Sequence, residues 1–270
     1  MQGKLSTGLH RLVRGGARAA FLLACGLVAT AGVHAASLQV APVSVAFAPG
    51  EQARILYLDN HDGDPIEVQV RLMRWSQQDG VDRLDPTQDV VATPAIVRIG
   101  PGERQTVRLV RRQSDRPDRE LSYRALVNEL PDNQARSGQT GLRVLLAYSI
   151  PVFIAATEPP PAPAPSGTDA PPPQVDLSGV RARLSPGSGG TVLAVSNQGP
   201  RHVRIGGLVL ESADGTSRPV TEGLLGYVLP GQQASFRVDL APTLPAGQTL
   251  KARFNDERDA RPVPLDSAGP

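Results

Sequence analysis

The sequence predicts an all-β protein built from two β-sandwich domains. Short apolar runs rich in Val and Leu alternate with turn residues along most of the 270-residue chain. Glycine and proline are abundant, with 27 and 26 copies, whereas only 4% of the residues are aromatic. Many short strands separated by Gly- and Pro-containing turns are typical of β-sandwiches. A Pro- and Ala-rich stretch divides the runs into two sets, which indicates two domains.

The first 35 residues have the pattern of a secretory signal peptide. An apolar stretch over residues 19–33 follows a basic start formed by Lys4, Arg11, Arg14 and Arg18. Small residues at the positions that a signal peptidase reads predict cleavage after Ala35. A retained membrane helix is disfavoured because the apolar run is about 15 residues and a span needs about 20. One alternative stays open, since the segment ending at Cys25 resembles a lipoprotein cleavage box.

Removal of this segment changes the bulk chemistry of the chain. Its four basic residues leave without any acidic residue, so the net charge falls from +2 to −2. The pI of about 9.0 therefore belongs largely to the leader, and the case for nucleic-acid binding is lost. Cys25 is the only cysteine, so the mature chain can form neither a disulfide nor a cysteine metal site.

Residues 36–156 are predicted to form the first sandwich. About seven apolar runs bounded by turn signals indicate an immunoglobulin-like domain, at residues 42–47, 53–58, 66–75, 90–99, 105–110, 121–130 and 142–154. Pro94 interrupts the fourth run. This run is therefore expected to be an edge strand or to switch from one sheet to the other.

The second half of the chain repeats the β pattern on a smaller scale. Residues 157–174 carry most of the consecutive prolines and are predicted to be a semi-rigid linker, because proline lacks the amide that a sheet ladder needs. Residues 175–265 are predicted to form a smaller sandwich. The tail after Arg258 is expected to fray.

The sequence offers little that could perform catalysis. His61 and His202 are the histidines outside the leader, and each is expected to be a solvated turn residue. No spacing suggests a Ser/His/Asp set or a metal-ligand cluster. We therefore expect no enzyme activity, no cofactor, no metal and no small-molecule substrate.

The apolar run at the end of the first domain has a distinctive pattern. One face of the predicted strand carries Leu142, Val144, Leu146, Tyr148 and Ile150 at every second position. An ordinary core-facing strand would have this pattern. Alternatively, the N-terminal part of the row overhangs its own core and offers its side chains to the open sheet of another protein, by β-strand addition.

Several segments, in order, resemble the periplasmic pilus-assembly chaperones. In chain order they are LDNHDGDPIEVQVRLMRWSQQDG from Leu58, ATPAIVRIGPGERQTVRLV from Ala92, LSYRALVNELP from Leu121 and VLLAYSIPVFI from Val144. They are most similar to the archaic, spore-coat-U-type branch. In the second domain SNQGPRHVRI and GYVLPGQ fit more loosely.

The resemblance implies a function for the predicted strand row. Such chaperones bind exported pilus subunits that lack one strand, lend them a strand of their own in the periplasm, and deliver them to an outer-membrane usher. An open sandwich exposes apolar groove and unpaired backbone, which a donated strand covers. A two-domain structural or adhesive surface protein is the main alternative.

One departure from the family pattern concerns the subunit's C-terminal carboxylate. The better-known branch anchors it with an Arg and a Lys, at positions that look like Ser44 and Pro151 here. A buried carboxylate still needs a cationic partner. Arg124 is the first candidate for this anchor, and Arg71 and Arg108 are weaker ones.

Overall fold

The computed structural model describes residues 38–112, 117–131, 145–156 and 174–266. These residues form strands, turns and irregular segments, arranged as two separate sandwiches, so the predicted all-β fold class is confirmed. Among them, no helix has the length and apolar character needed to cross a membrane. The predicted leader and residues 157–173 of the predicted linker lie outside the described residues, so both stay predictions.

Ten strands of the first sandwich lie in the described residues. They are β1 (Leu38–Ala41), β2 (Val45–Phe47), β3 (Ala53–Asn60), β4 (Ile66–Gln78), β5 (Val81–Pro86), β6 (Val90–Thr93), β7 (Ile96–Ile99), β8 (Arg104–Arg111), β9 (Leu121–Leu130) and β10 (Ala147–Ile154). One sheet has the order β1-β3-β8-β6, and the other has the order β2-β10-β9-β4-β5 with β7 also paired to β4. Alternate apolar side chains of both sheets fill the space between them.

The run interrupted by Pro94 switches sheets, as predicted. Its first part, β6, pairs with β8 in one sheet, whereas its second part, β7, pairs with β4 in the other. Val90 and Ile99, at the two ends of the run, are both buried in the shared core. One continuous apolar segment thus contributes to both layers of the sandwich.

The second sandwich contains seven strands. They are β11 (Val180–Gly187), β12 (Gly190–Asn197), β13 (Val203–Glu211), β14 (Ser217–Val228), β15 (Gln232–Val238), β16 (Thr249–Phe254) and β17 (Arg261–Pro262). The two sheets have the orders β11-β12-β15 and β14-β13-β16-β17. A second apolar core lies between them.

The expectation that the chain frays after Arg258 is wrong as far as Asp266, where the described residues end. Arg261 forms an ion pair of 2.7 Å with Glu257 and donates a hydrogen bond of 2.7 Å to the carbonyl of Val175. Val263 is buried in the core, and Leu265 bridges to β11. These residues are held in place because Val263 and Leu265 pack against the second core. The charged residues around them made this segment look solvent-exposed in the sequence.

Candidate functional site

Strand β10 has one covered edge and one partly open edge. Along its whole length it pairs with β9 in antiparallel fashion, from Ala147 opposite Asn128 to Ile154 opposite Leu121. On its other edge β2 pairs in parallel with residues 152–154 alone. Within the described part of the chain, the edge from residue 147 to residue 151 has no neighbouring strand.

The direction of the backbone groups on this open edge follows from the ladder. The amide of Glu129 donates to the carbonyl of Leu146 at 2.9 Å, so the even-numbered residues of β10 exchange hydrogen bonds with β9. Because hydrogen-bonded and non-hydrogen-bonded pairs alternate in an antiparallel ladder, the groups of Ala147 and Ser149 point away from β9. They present donors and acceptors to an additional strand.

The predicted alternation of side chains along β10 is present in the described residues. Leu146 and Tyr148 are half-buried and pack against the first core, whereas Ile150 is a full core member with 4% of its surface exposed. Ala147 and Ser149 lie on the opposite face and are exposed. Burial therefore decreases steadily from the C-terminal end of the row towards its N-terminal end.

The five predicted donor residues therefore differ in their surroundings. Leu142 and Val144 lie outside the described residues. The Tyr148 hydroxyl donates to the carbonyl of Leu38, so its ring is tied to strand β1 of the same domain. Of the described members of the row, Leu146 is best placed to contact a guest, and the donor role of all five stays a prediction.

Arg124 lies on β9 directly opposite Pro151. Its Nη1 donates to the carbonyl of Ser149 at 3.4 Å, and this carbonyl belongs to the open edge. The guanidinium carbon lies 3.7 Å from the ring centroid of Trp75 and 5.4 Å from that of Tyr227. The side chain thus reaches across β10 to the end of the open edge.

Burial has the largest effect on the pKa of Arg124. It lowers the pKa of the guanidinium, and the negative charge of Asp82 only partly offsets this effect. None of the ion pairs among the described residues involves Arg124. A partly desolvated cation is costly without an anion, so this site is suited to bind a carboxylate.

The other two anchor candidates have different positions. Arg71 is exposed on β4, opposite Leu126, on the same face of the sheet as Arg124. Arg108 is exposed on β8, which belongs to the other sheet. The structure therefore brings Arg71, but not Arg108, to the sheet face on which Arg124 lies.

The two domains contact each other through residues that, apart from His202, the sequence did not single out. Trp75, Phe153 and Leu229 form a small buried cluster against which Tyr227 packs. His202 stacks on Phe153 with ring centroids 3.6 Å apart. The side chain of His202 is 20% exposed, so the expectation of a solvated turn histidine is wrong.

A polar contact accompanies this stack. The Nδ1 atom of His202 lies 2.7 Å from an oxygen of Glu120, just before β9. His61, in contrast, is exposed and contacts Gln39. The sequence around His202 does not reveal its interface position, because its partners Phe153 and Glu120 are about 50 and 80 positions away in the chain.

Comparison with known proteins places this geometry in context. Residues 37–159 match the family of pili and flagellar-assembly chaperones, in its PapD N-terminal domain. A comparison with curated protein sequences finds no match.

Solved structures share the fold over most of the chain. The chaperone–tip adhesion subunit complex CsuC–CsuE of the archaic Csu pili of Acinetobacter baumannii has a TM-score of 0.62 and 20% identity, and covers 85% of this chain and 98% of that one. The SafB chaperone complex with the SafA pilin of Salmonella enterica has a TM-score of 0.55 and 16% identity, with coverages of 86% and 96%. The periplasmic chaperone SfaE has a TM-score of 0.51 and 14% identity, with coverages of 83% and 96%.

Proposed function

We propose that this protein is a pilus-assembly chaperone that captures pilus subunits by lending them the open edge of β10. The match of residues 37–159 to the family of pili and flagellar-assembly chaperones supports this proposal. The family acts in the periplasm and assembles pili without catalysing a reaction. Two of the structurally similar chaperones were solved with a subunit bound. These complexes support the same kind of partner here.

The open edge of β10 is the observation that carries this proposal. Ala147 and Ser149 offer main-chain groups to a guest strand, as the ladder with β9 requires. Leu146 lies beside them, half-buried on the core side of the strand. Main-chain hydrogen bonds supply affinity in β-strand addition, and alternate side chains supply specificity.

The end of the open edge determines where the guest strand would stop. Pro151 has no amide hydrogen, and β2 occupies the edge from Val152 onwards. A guest strand would therefore end beside Arg124, whose backbone lies opposite Pro151 and whose Nη1 donates to the carbonyl of Ser149. We assign to Arg124 the binding of the subunit's terminal carboxylate, since a guanidinium can hold a carboxylate through two parallel hydrogen bonds.

The remaining parts of the proposal concern export and delivery. The basic and apolar leader supports cleavage after Ala35 and release into the periplasm. Delivery to an outer-membrane usher completes the assembly pathway that the family serves. The ordered first-domain motifs favour the archaic, spore-coat-U-type branch and subunits of that class.

The substitution Ser149→Pro tests the open edge directly. It removes one outward-pointing amide hydrogen without removing a hydrogen bond to β9, and proline is tolerated at edge positions of this kind. We expect the free protein to remain folded and the recovery of a co-expressed pilus subunit from the periplasm to fall sharply. Ser149→Thr, which keeps the amide, serves as the control and should capture normally.

The result also separates the chaperone from a structural or adhesive surface protein. An adhesive protein would leave the survival of co-expressed subunits unchanged, with or without the proline. Normal subunit recovery with the Ser149→Pro variant would show that the edge of β10 does not take part in capture. A lipidated N-terminal Cys25 in the membrane fraction would instead contradict release into the periplasm.

A further inference from the structure

The guanidinium of Arg124 lies in a corner formed by aromatic rings from both domains. Trp75 belongs to β4 of the first sandwich, and Tyr227 belongs to β14 of the second. Their ring centroids are 5.4 Å apart and their planes meet at 77°. The guanidinium carbon lies against the face of Trp75, with Tyr227 as the second wall.

The amide side chain of Gln77 helps to fix the position of Tyr227 relative to the first domain. Gln77 Nε2 donates to the carbonyl of Tyr227 at 2.7 Å, and the amide of Leu229 donates to Gln77 Oε1 at 2.9 Å. Gln77 thereby satisfies main-chain groups on both sides of Val228. The backbone that carries the Tyr227 ring is held in register with β4, and therefore with Trp75.

A neighbouring contact strengthens this arrangement. The amide of Ser235 donates to the carbonyl of Gly80 at 2.9 Å, at the turn between β4 and β5. Gly80 has a φ of +80°, and a Cβ atom at this position would lie 2.2 Å from the Ser235 hydroxyl oxygen. The tip of the hairpin thus contacts the second domain at a point that accepts no side chain.

An arginine loses considerable rotamer freedom when it binds a ligand in one geometry. Stacking between two walls restricts the side chain before the ligand arrives, which lowers this cost. The contacts of the guanidinium with the aromatic faces use none of its N–H groups, and the hydrogen bond to Ser149 uses one. Most of the N–H groups therefore remain available to bind a carboxylate.

We propose that Tyr227 is a positioning residue for Arg124, so that recognition of a chain-terminal carboxylate is a joint property of both domains. This inference rests on the proposed function, because it assumes that Arg124 binds the end of a captured subunit. The second domain then contributes to affinity without contacting the guest. Its contribution is to hold the guanidinium in the orientation that a carboxylate requires.

The test uses a pilus subunit in two forms, one native and one extended by Gly-Ser at its C-terminus. The extension moves the carboxylate by about 7 Å. Complexes purified with the full chain are mixed with labelled wild-type chaperone, and the exchange rate gives the dissociation rate of each subunit. With wild-type chain the extended subunit should leave at least about 10-fold faster than the native one.

The variants separate positioning from simple loss of packing. Tyr227→Leu should release the native subunit about 3- to 30-fold faster, as expected for a lost cation–π contact. The ratio of the extended subunit's dissociation rate to the native subunit's should therefore shrink towards 1. Tyr227→Phe keeps the ring and should match wild type within about twofold. Emission of Trp75, the single tryptophan, and the melting temperature report whether the junction is intact.

Two outcomes would overturn the inference while leaving the proposed function in place. In one, Tyr227→Leu keeps the full ratio of extended to native dissociation rates, although Arg124→Ala reduces that ratio to about 1. In the other, Tyr227→Phe loses the ratio as completely as Tyr227→Leu, so that the ring is not what matters. Should Tyr227→Leu melt early, Tyr227→Met replaces it under the same criteria. A wild-type chain that captures no subunit at all would instead overturn the proposed function.

Discussion

The two halves of β10 differ in what covers their outer edge. Residues 152–154 are paired on both sides, by β9 and by β2. Residues 147–151 are paired with β9 alone among the described strands. Side-chain burial follows the same division, from complete at Val152 to partial at Leu146. The closed half holds the strand in the fold, and the open half can therefore be offered without unfolding the domain.

The largest expected effect on stability comes from a charge in the closed half. Val152 is 0% exposed in the first core, and an unpaired carboxylate there has no compensating partner. We expect Val152→Asp to lower the free energy of unfolding by at least about 4 kcal/mol, close to the whole stability of many domains.

Thermal melts of the purified protein measure this effect. Ala147→Asp is the matched control in the open half, on the exposed face, and should change stability by about 0.5 kcal/mol or less. Equal losses for the two variants would show that the open half belongs to the core as fully as the closed half does.

A pH dependence is expected in the closed half because Tyr123 lies opposite Val152. Burial raises the pKa of the Tyr123 phenol to about 12, and the nearby Asp89 carboxylate, which accepts its hydrogen bond at 3.0 Å, adds to the rise against the opposing charge of Arg74. The unfolded phenol ionises near pH 10. The neutral buried phenol thus favours the fold below pH 10, and this contribution is lost between pH 10 and 12.

The loss should amount to about 2 kcal/mol over that interval. Urea unfolding at a series of pH values measures it. Tyr123→Phe is less stable at neutral pH because its hydrogen bond is gone, but its stability should decline less steeply above pH 10. Parallel curves for the two proteins would mean that Tyr123 does not cause the alkaline instability.

A smaller effect is expected for a charge in the open half. Leu146 is half-buried, so Leu146→Asp should cost the free protein about 1–2 kcal/mol. In a complex the same carboxylate would face an apolar groove and cost several kcal/mol more. Subunits should then be lost from the periplasm while the variant itself accumulates. Joint loss of the chaperone and the subunit would indicate that Leu146 is ordinary core.

Local patterns predicted the sandwich and the alternating strand at the end of the first domain. The alternation along β10 and the effect of Pro94 depend on neighbouring residues, and both are present in the structure. The site around Arg124 depends on Trp75 and Tyr227, which are separated by about 150 residues, and no periodicity joins them. Arg124 itself was recognisable because a charge inside an apolar strand is costly. Its aromatic walls, and the interface position of His202, needed the fold.

The smallest expected effect on stability comes from Arg124→Ala. The substitution removes the contact of the guanidinium with the Trp75 ring, but it also removes a partly desolvated cation whose pKa burial has lowered. These contributions oppose each other, so the free energy of unfolding should change by about 1 kcal/mol or less. The free energy of subunit binding should fall much further, by about 3–5 kcal/mol if the carboxylate is left without its cation.

Melting curves and subunit dissociation rates for the Arg124→Ala variant separate its role in stability from its role in capture. Arg71→Ala, on the same face but exposed, should change neither quantity as much. A large drop in melting temperature with unchanged capture would make Arg124 a structural residue of the domain junction and leave the end of the open edge without an anchor.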